Sequence, residues 1–393
     1  MDQPTARTAD KNLVVSPSRN WWPLTLSFAA IILAVHLFPY LKISKPTIAE
    51  NRVLSTAPRF PTSLDDWSSI PSKLDSFVID QFPVRTYLIS GINYLRYKLG
   101  YSGSNKVIVG KDGWLFYDDG GYLALAAGHQ KLEKEGIDNW VQGLSQRIRY
   151  SQRNGAKFYF LLGPIKEDIY PEYRPAWMPS ERVRTEVDDI IAAAQAAGYD
   201  QVIDPRPAIL DQKSQQKLYD EYDTHWTGLG AYIGYEALMS RIAKDLPSLA
   251  PLPITAFQPV HGGIGGVPRN LSLMLGIDDF VAHDRVTFAT AITHDPKKTT
   301  FLSNDHSWVA PQVLHTDANT GKTLLLLRDS FASELLPMLK EQFETIITAH
   351  VQDGFFRKDL VEQFKPDVIV VEVIESGIRH SMREMPELEL KAD

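Results

Sequence analysis

The sequence predicts an α/β protein whose parallel sheet is covered by helices on both faces. Strand-length apolar runs recur along the later part of the chain: KFYFLL (157–162), TLLLL (323–327), TIITAHV (345–351) and DVIVVEV (367–373). They are mostly apolar, without a strict polar alternation, as strands buried on both faces are expected to be. Segments of helical spacing separate them, which is the alternation of a doubly covered sheet.

Taken in order, residues 1–20 are polar and aperiodic and read as a cytoplasmic tail. No charge occurs between Arg19 and Lys42, and the stretch NWWPLTLSFAAIILAVHLFPYL is apolar on every face. Residues 21–41 are therefore expected to form an uncleaved transmembrane anchor, with Trp21, Trp22 and Tyr40 at its ends. Residues 42–75, rich in Pro and Ser, read as a juxtamembrane linker, and 76–393 as one domain. A helical pattern runs from Leu74 to Leu99, interrupted at Pro83. KVIVGKDGWLFYDDGG then has the form of a hairpin.

Further on, RVRTEVDDIIAAAQAAG (182–198) is helical and stops at Gly198, and TGLGAYIGYEALMSRIAKDL (227–246) is helical again. Residues 251–320 break the rhythm with a Gly-rich stretch and two short β-like runs, RVTFATAI and TTFLSN. They are expected to be an insertion over one end of the sheet. A helix is predicted over ASELLPMLKEQF (332–343) and another near 355–364.

Composition excludes several functions. A formal net charge of −7 gives no basic field for nucleic acid. The absence of cysteine removes disulfides, thiolate nucleophiles and Cys-based zinc sites. The ten histidines show no HExxH spacing, and Asp118-Asp119-Gly120-Gly121 lacks the alternating ligands of a calcium loop. Neither metal nor cofactor is expected.

In open α/β sheets ligands bind beyond the carboxyl ends of the strands. After TLLLL comes Arg328-Asp329-Ser330-Phe331 and then a helix, which exposes a serine hydroxyl at a strand-to-helix turn. Alone, Ser330 is an ordinary helix cap. YDTHWTGLGAYIGYEAL places Asp223 and His225 just before another helix, an imidazole and a carboxylate that can activate a serine. Trp226 can wall such a site from water. Asp305-His306-Ser307-Trp308 mimics the pattern but lies in a polar stretch and reads as a surface turn.

DTHW opening one helix and RDSF opening another, together with VGKDGWLFY, ENR at 50–52 and FLLGPIKEDIYPE at 160–172, resemble the alginate O-acetyltransferase family, the AlgX- and AlgJ-like relatives of SGNH hydrolases. The resemblance covers roughly residues 50–375. It implies an SGNH hydrolase-like three-layer α/β/α domain with catalytic Ser330, His225 and Asp223. The implied activity is acetyl transfer to hydroxyls of an exported polysaccharide through an acetyl-serine intermediate. The implied location is the periplasmic face of the inner membrane, with acetyl supplied by a membrane-bound O-acyltransferase. The SGNH pattern begins Gly-Asp-Ser, whereas Arg328 stands here at the glycine position. Asn270, Arg328, Lys166 and Trp226 are the candidates for oxyanion or substrate contacts. A polysaccharide acetyl esterase would carry the same residues. A non-catalytic polysaccharide-binding subunit of a secretion complex would instead use Trp114, Phe116, Tyr117 and Trp226 to stack on sugars.

Overall fold

A computed structural model describes residues 21–48, 53–119, 121–262, 269–281, 285–289, 299–385 and 388. The expected tail, the ENR motif and most of the Gly-rich stretch fall outside the described residues. The chain divides into two compact units, one of residues 1–45 and 51–88, the other of 46–50 and 89–393.

In the first unit, α1 spans Trp22–Leu37 and passes into a 3₁₀ turn at Phe38–Leu41. The expected 21–41 span is thus not one continuous α-helix. Pro39 has no amide hydrogen with which to extend the ladder. Sixteen helical residues reach only ~24 Å, short of a ~30 Å hydrocarbon layer. No helix among the described residues is long and apolar enough to cross a membrane. The second helix, α2 (Leu64–Asp80), begins inside the stretch expected to be a linker. Ser63 caps it by accepting the Asp66 N–H at 3.1 Å, and Asp65 and Asp66 favour the positive end of the helix. The next helix, α3 (Arg85–Lys98), follows the break around Pro83 and continues into the second unit.

The second unit opens with a hairpin of β1 (Val107–Val109) and β2 (Leu115–Tyr117). Its turn needs left-handed backbone at Asp112 (φ 53°) and Gly113 (φ 80°), which suits a Lys-Asp-Gly sequence. The main sheet is built from β3 (Lys157–Gly163), β4 (Val202–Ile203), β7 (Thr299–Phe301), β8 (Gln312–His315), β9 (Thr323–Arg328), β10 (Thr345–His350) and β11 (Val368–Ile374). Their spatial order is β4-β3-β11-β9-β10-β8-β7. Five strands are parallel, but β8 pairs antiparallel with β10, and β7 antiparallel with β8. The expectation of a purely parallel sheet is therefore corrected. The insertion supplies a strand pair that folds back onto the edge, and no crossover helix separates β7 from β8. The other insertion strands, β5 (Gln258–His261) and β6 (Val286–Ala289), form a separate antiparallel ribbon.

Both faces of the sheet are covered. Tyr159, Leu161, Leu324, Leu326, Ile346, Val368 and Val370 point to the face closed by the Gly228–Asp245 helix. Their neighbours Phe158, Phe160, Leu162, Leu325, Leu327, Ile347, Ile369 and Val371 meet the Lys134–Arg153 and Glu186–Ala196 helices. This alternation follows from the two-residue period of a strand. The Glu186–Ala196 helix carries a capping box, Thr185 with Asp188, and stops before Gly198 at φ 83°.

The Gly228–Asp245 helix approaches its neighbours closely where it lacks side chains. A Cβ at Gly230 would lie 2.4 Å from the Leu218 carbonyl oxygen and 2.9 Å from Trp226 Cβ. One at Gly234 would meet the Trp226 ring at 2.9 Å. Gly230→Ala is therefore expected to lower stability by about 1–3 kcal/mol, read as a lower urea midpoint at unchanged slope.

Candidate active site

At its carboxyl end β9 runs into Asp329 and Ser330 and turns sharply into the 3₁₀ segment Phe331–Ser333. The regular helix expected over 332–343 is not formed. Pro337 cannot donate to the turn before it, and only Leu336–Leu339 is α-helical. The turn is pinned from inside by acids. Asp329 accepts the Phe331 N–H at 2.8 Å and the Ile374 N–H at 2.8 Å, and Glu372 accepts the Asp329 N–H at 3.1 Å. Burial, with Asp329 beside it, pushes the Glu372 carboxyl well above its ordinary range.

The loop 220–227 faces this turn. His225 Nε2 lies 2.8 Å from Ser330 Oγ, and His225 Nδ1 lies 2.7 Å from Asp223 Oδ1. An ionised carboxylate can only accept, so Nδ1 carries the hydrogen toward Asp223 and Nε2 is left to accept from the serine hydroxyl. Asp223 is 2% exposed and also accepts the His225 and Asn270 backbone N–H groups, at 3.0 and 3.2 Å. Burial alone would raise its carboxyl. The imidazole, these hydrogen bonds and the Arg285 guanidinium outweigh it, and the group lies well below the usual carboxylate range. Ser330 and His225 are themselves only partly buried.

The remaining sequence-level candidates are placed as supports. Lys166, fully buried, donates from Nζ to the carbonyls of Asp220, Glu221 and Asp223 at 3.0, 3.1 and 2.6 Å. It thus holds the backbone of the Asp-His loop instead of reaching toward a substrate. Burial lowers its pKa to about 8. Asn270, expected near an oxyanion, spends its amide on Thr224, accepting the N–H at 2.8 Å and donating to Oγ1 at 2.9 Å. Trp226 is fully buried and donates from Nε1 to the Phe331 carbonyl at 3.0 Å, tying the two candidate segments together across 105 positions. Phe331 in turn packs against the His225 ring at 5.0 Å. Arg328 lies under the Trp308 ring at 5.1 Å, donates to the Trp308 carbonyl and Ser333 Oγ at 3.1 Å each, and is 4% exposed. The glycine position of the SGNH pattern is thus filled by a side chain turned away into packing.

Trp114, Phe116 and Trp226 are buried, so none of them offers a face for sugar stacking; Tyr117 is partly exposed. The Asp305-to-Trp308 stretch is a turn, with Asp305 accepting the Ser307 N–H and hydroxyl at 2.8 Å each. Asp118 accepts the Gly121 N–H at 3.1 Å, again a turn. No group of three or more metal-ligating side chains occurs among the described residues.

Two contributors had no signal in the sequence. Arg285, beside β6, donates from Nη1 to Asp223 Oδ2 at 2.9 Å and pairs through Nη2 with Glu334, four residues beyond the serine. Thr287 also donates to Glu334. An arginine in an insertion and a glutamate in a turn carry no motif, and only the folded chain brings them to the same carboxylate.

A family described as "SGNH hydrolase-like domain, acetyltransferase AlgX" matches residues 107–309. The chain belongs to this AlgX family. The matched span includes Asp223, His225 and Arg285 and ends before Ser330. Among curated relatives, a probable alginate O-acetylase AlgJ from Pseudomonas aeruginosa is 30% identical over 178 residues, 45% of this chain and 42% of that one. The corresponding Pseudomonas syringae protein is 28% identical over 184 residues, 43% and 41%. The chain thus spans about two-fifths of the length of the curated relatives it matches. Among solved structures, Bacillus cereus PatB1 with a sulfonyl adduct superposes with a TM-score of 0.52 at 12% identity, over 71% of this chain and 100% of that one. That likeness concerns the fold, and with the AlgX match it establishes an SGNH hydrolase-like α/β architecture.

One acid near the site reports on its burial. Glu167 is 1% exposed, accepts the Tyr117 N–H at 3.1 Å and is pushed by burial from 4.5 to about 7, against the pull of Lys166 and Arg174. A carboxyl whose folded pKa is raised contributes its full stability below the unfolded value and loses it as pH rises toward the folded one. Glu167→Gln should therefore gain stability relative to the unaltered chain as pH rises from 4.5 to about 7. The gain should reach roughly 2–3 kcal/mol at pH 8 by urea titration and vanish near pH 4.

Proposed function

We propose that the chain is a serine-dependent O-acetyltransferase acting on an exported polysaccharide of the alginate type. The observation that carries this reading is the hydrogen-bonded row Ser330–His225–Asp223 at the carboxyl edge of the sheet, in a member of a family described as acetyltransferases. His225 Nε2 takes the Ser330 proton as Oγ bonds to the acetyl carbon, and the imidazolium returns that proton to the departing donor group. A sugar hydroxyl then attacks the acetyl-serine, giving its proton to His225. The acetyl–Oγ bond breaks, and Ser330 is reprotonated. Asp223 holds the imidazole in the required tautomer and stabilises its charged form. The Asp329 and Phe331 N–H groups are taken up by Glu372 and Asp329, so the Ser330 N–H is the backbone donor assigned to the developing oxyanion.

We place the enzyme on the periplasmic side of the inner membrane, held by the segment 21–41 ahead of a domain at 76–393. A membrane-bound O-acyltransferase would supply the acetyl group. Support for the membrane comes from apolar side chains exposed all round α1, among them Trp22, Leu26, Phe28, Ile31 and Leu33. The 3₁₀ turn at Phe38–Leu41 continues the apolar run beyond the α-helix. Transfer is favoured over hydrolysis because the relatives are named probable O-acetylases.

The full-length chain in detergent should be labelled at Ser330 by a fluorophosphonate, and Ser330→Ala should abolish labelling. With 4-nitrophenyl acetate and alginate oligosaccharides, mass spectrometry should show acetyl added to sugar, and Asp223→Asn should slow this by about 10³–10⁴-fold. Free acetate without sugar modification would replace this reading by an esterase. Absence of both labelling and acetate release would replace it by a binding subunit.

A further inference from the structure

The ribbon of β5 and β6 lies outside the main sheet, yet it delivers a charge to the centre of the site. The Arg285 carbonyl accepts the Gly262 N–H at 2.7 Å, which closes the ribbon at the arginine. The ribbon presses on the start of the Gly228–Asp245 helix so closely that a Cβ at Gly228 would lie 2.7 Å from Thr287 Cα. From there the Arg285 guanidinium, 13% exposed, reaches Asp223 Oδ2 at 2.9 Å on one side and Glu334 on the other. Thr287 fixes the second Glu334 oxygen. The carboxylate that orients His225 is therefore itself oriented, by a clamp whose far end stands on the segment bearing Ser330.

We propose that Arg285 is a positioning residue of this site, which locks Asp223 to the Ser330 turn through Glu334 and limits how strongly Asp223 favours the protonated imidazole. The inference rests on the serine-transfer reading above and adds to it. Its physical content is a charge balance. Asp223 faces His225 from its own loop and Asp329 from the β9 turn, while Asp223 is itself faced by Arg285, with Glu334 and Asp220 beside that guanidinium, and by Lys166 beneath its carbonyl. A fixed cation on the far oxygen of Asp223 opposes protonation of the imidazole, and Glu334 partly neutralises that cation. In a transfer enzyme this keeps His225 able to accept a second proton, from the incoming sugar hydroxyl.

Removing the cation and removing its counter-charge must act in opposite directions. The test measures the acylation burst with 4-nitrophenyl acetate against pH, using the full-length chain in detergent. Arg285→Gln should move the acidic limb upward by about one unit and lower the plateau several-fold. Glu334→Gln should move the limb downward, and Arg285→Lys should leave it near its original position with a reduced plateau. A limb that stays put in both Arg285→Gln and Glu334→Gln, or moves the same way in both, would overturn the proposal and leave Arg285 as a packing residue. If the unaltered chain forms no acetyl-Ser330, the serine-transfer reading itself fails, and the inference falls with it.

Discussion

A carboxylate withdrawn almost wholly from water must be met by donors, and the architecture around Asp223 is largely a response to that requirement. An isolated buried charge is costly enough that the group would instead take up a proton. Here the imidazole, two backbone N–H groups and a guanidinium surround it. They come from three neighbourhoods of the chain: the loop itself, which supplies both the imidazole and one N–H, the start of the Asn270–Leu275 helix, and the insertion ribbon. The loop in turn hangs on Lys166, whose three contacts to carbonyl oxygens hold the backbone that presents the carboxylate. Charge satisfaction thus extends outward from one side chain through several elements.

The serine side is built by a different logic. Ser330 sits on a turn held by the acidic side chains of Asp329 and Glu372, which accept backbone N–H groups the sharp reversal leaves without ladder partners. Trp226 joins the two halves by an indole-to-carbonyl bond, and the glycines of the following helix make room for its ring. A bulky aromatic packed against residues without side chains fixes a distance more firmly than a surface ion pair would, because close-packed groups cannot drift without opening a void.

Much of the scaffold was legible in the sequence, because its signals are local. The apolar runs that became β3, β9, β10 and β11 stand out by continuity, and the Lys-Asp-Gly turn between β1 and β2 by the left-handed backbone it demands. Asp223, His225 and Ser330 drew attention through their placement before helices. What was not legible is long-range or compensatory. The antiparallel margin arises because β7 and β8 pair within an insertion whose short β-like runs carry no directional mark. The α-helix expected across 21–41 gives way to a 3₁₀ turn at Phe38. Asn270, Lys166 and Arg328 stand in the sequence as polar groups near the chemistry, and in the folded chain their hydrogen bonds go to the scaffold. Arg285 and Glu334 occupy unremarkable positions in the sequence, and only tertiary proximity distinguishes them.

The order of strands has a consequence for behaviour in a crowded compartment. Both margins of the seven-stranded sheet are its shortest members, Val202–Ile203 and Thr299–Phe301. Unpaired backbone along a sheet edge recruits strands from other molecules, and the hazard grows with the length of edge on offer. Among the described residues, two at one border and three at the other present little template for that recruitment, while the long, apolar β9 and β11 have strand partners on both sides. The same short strands that complete the sheet thereby guard it against lateral aggregation.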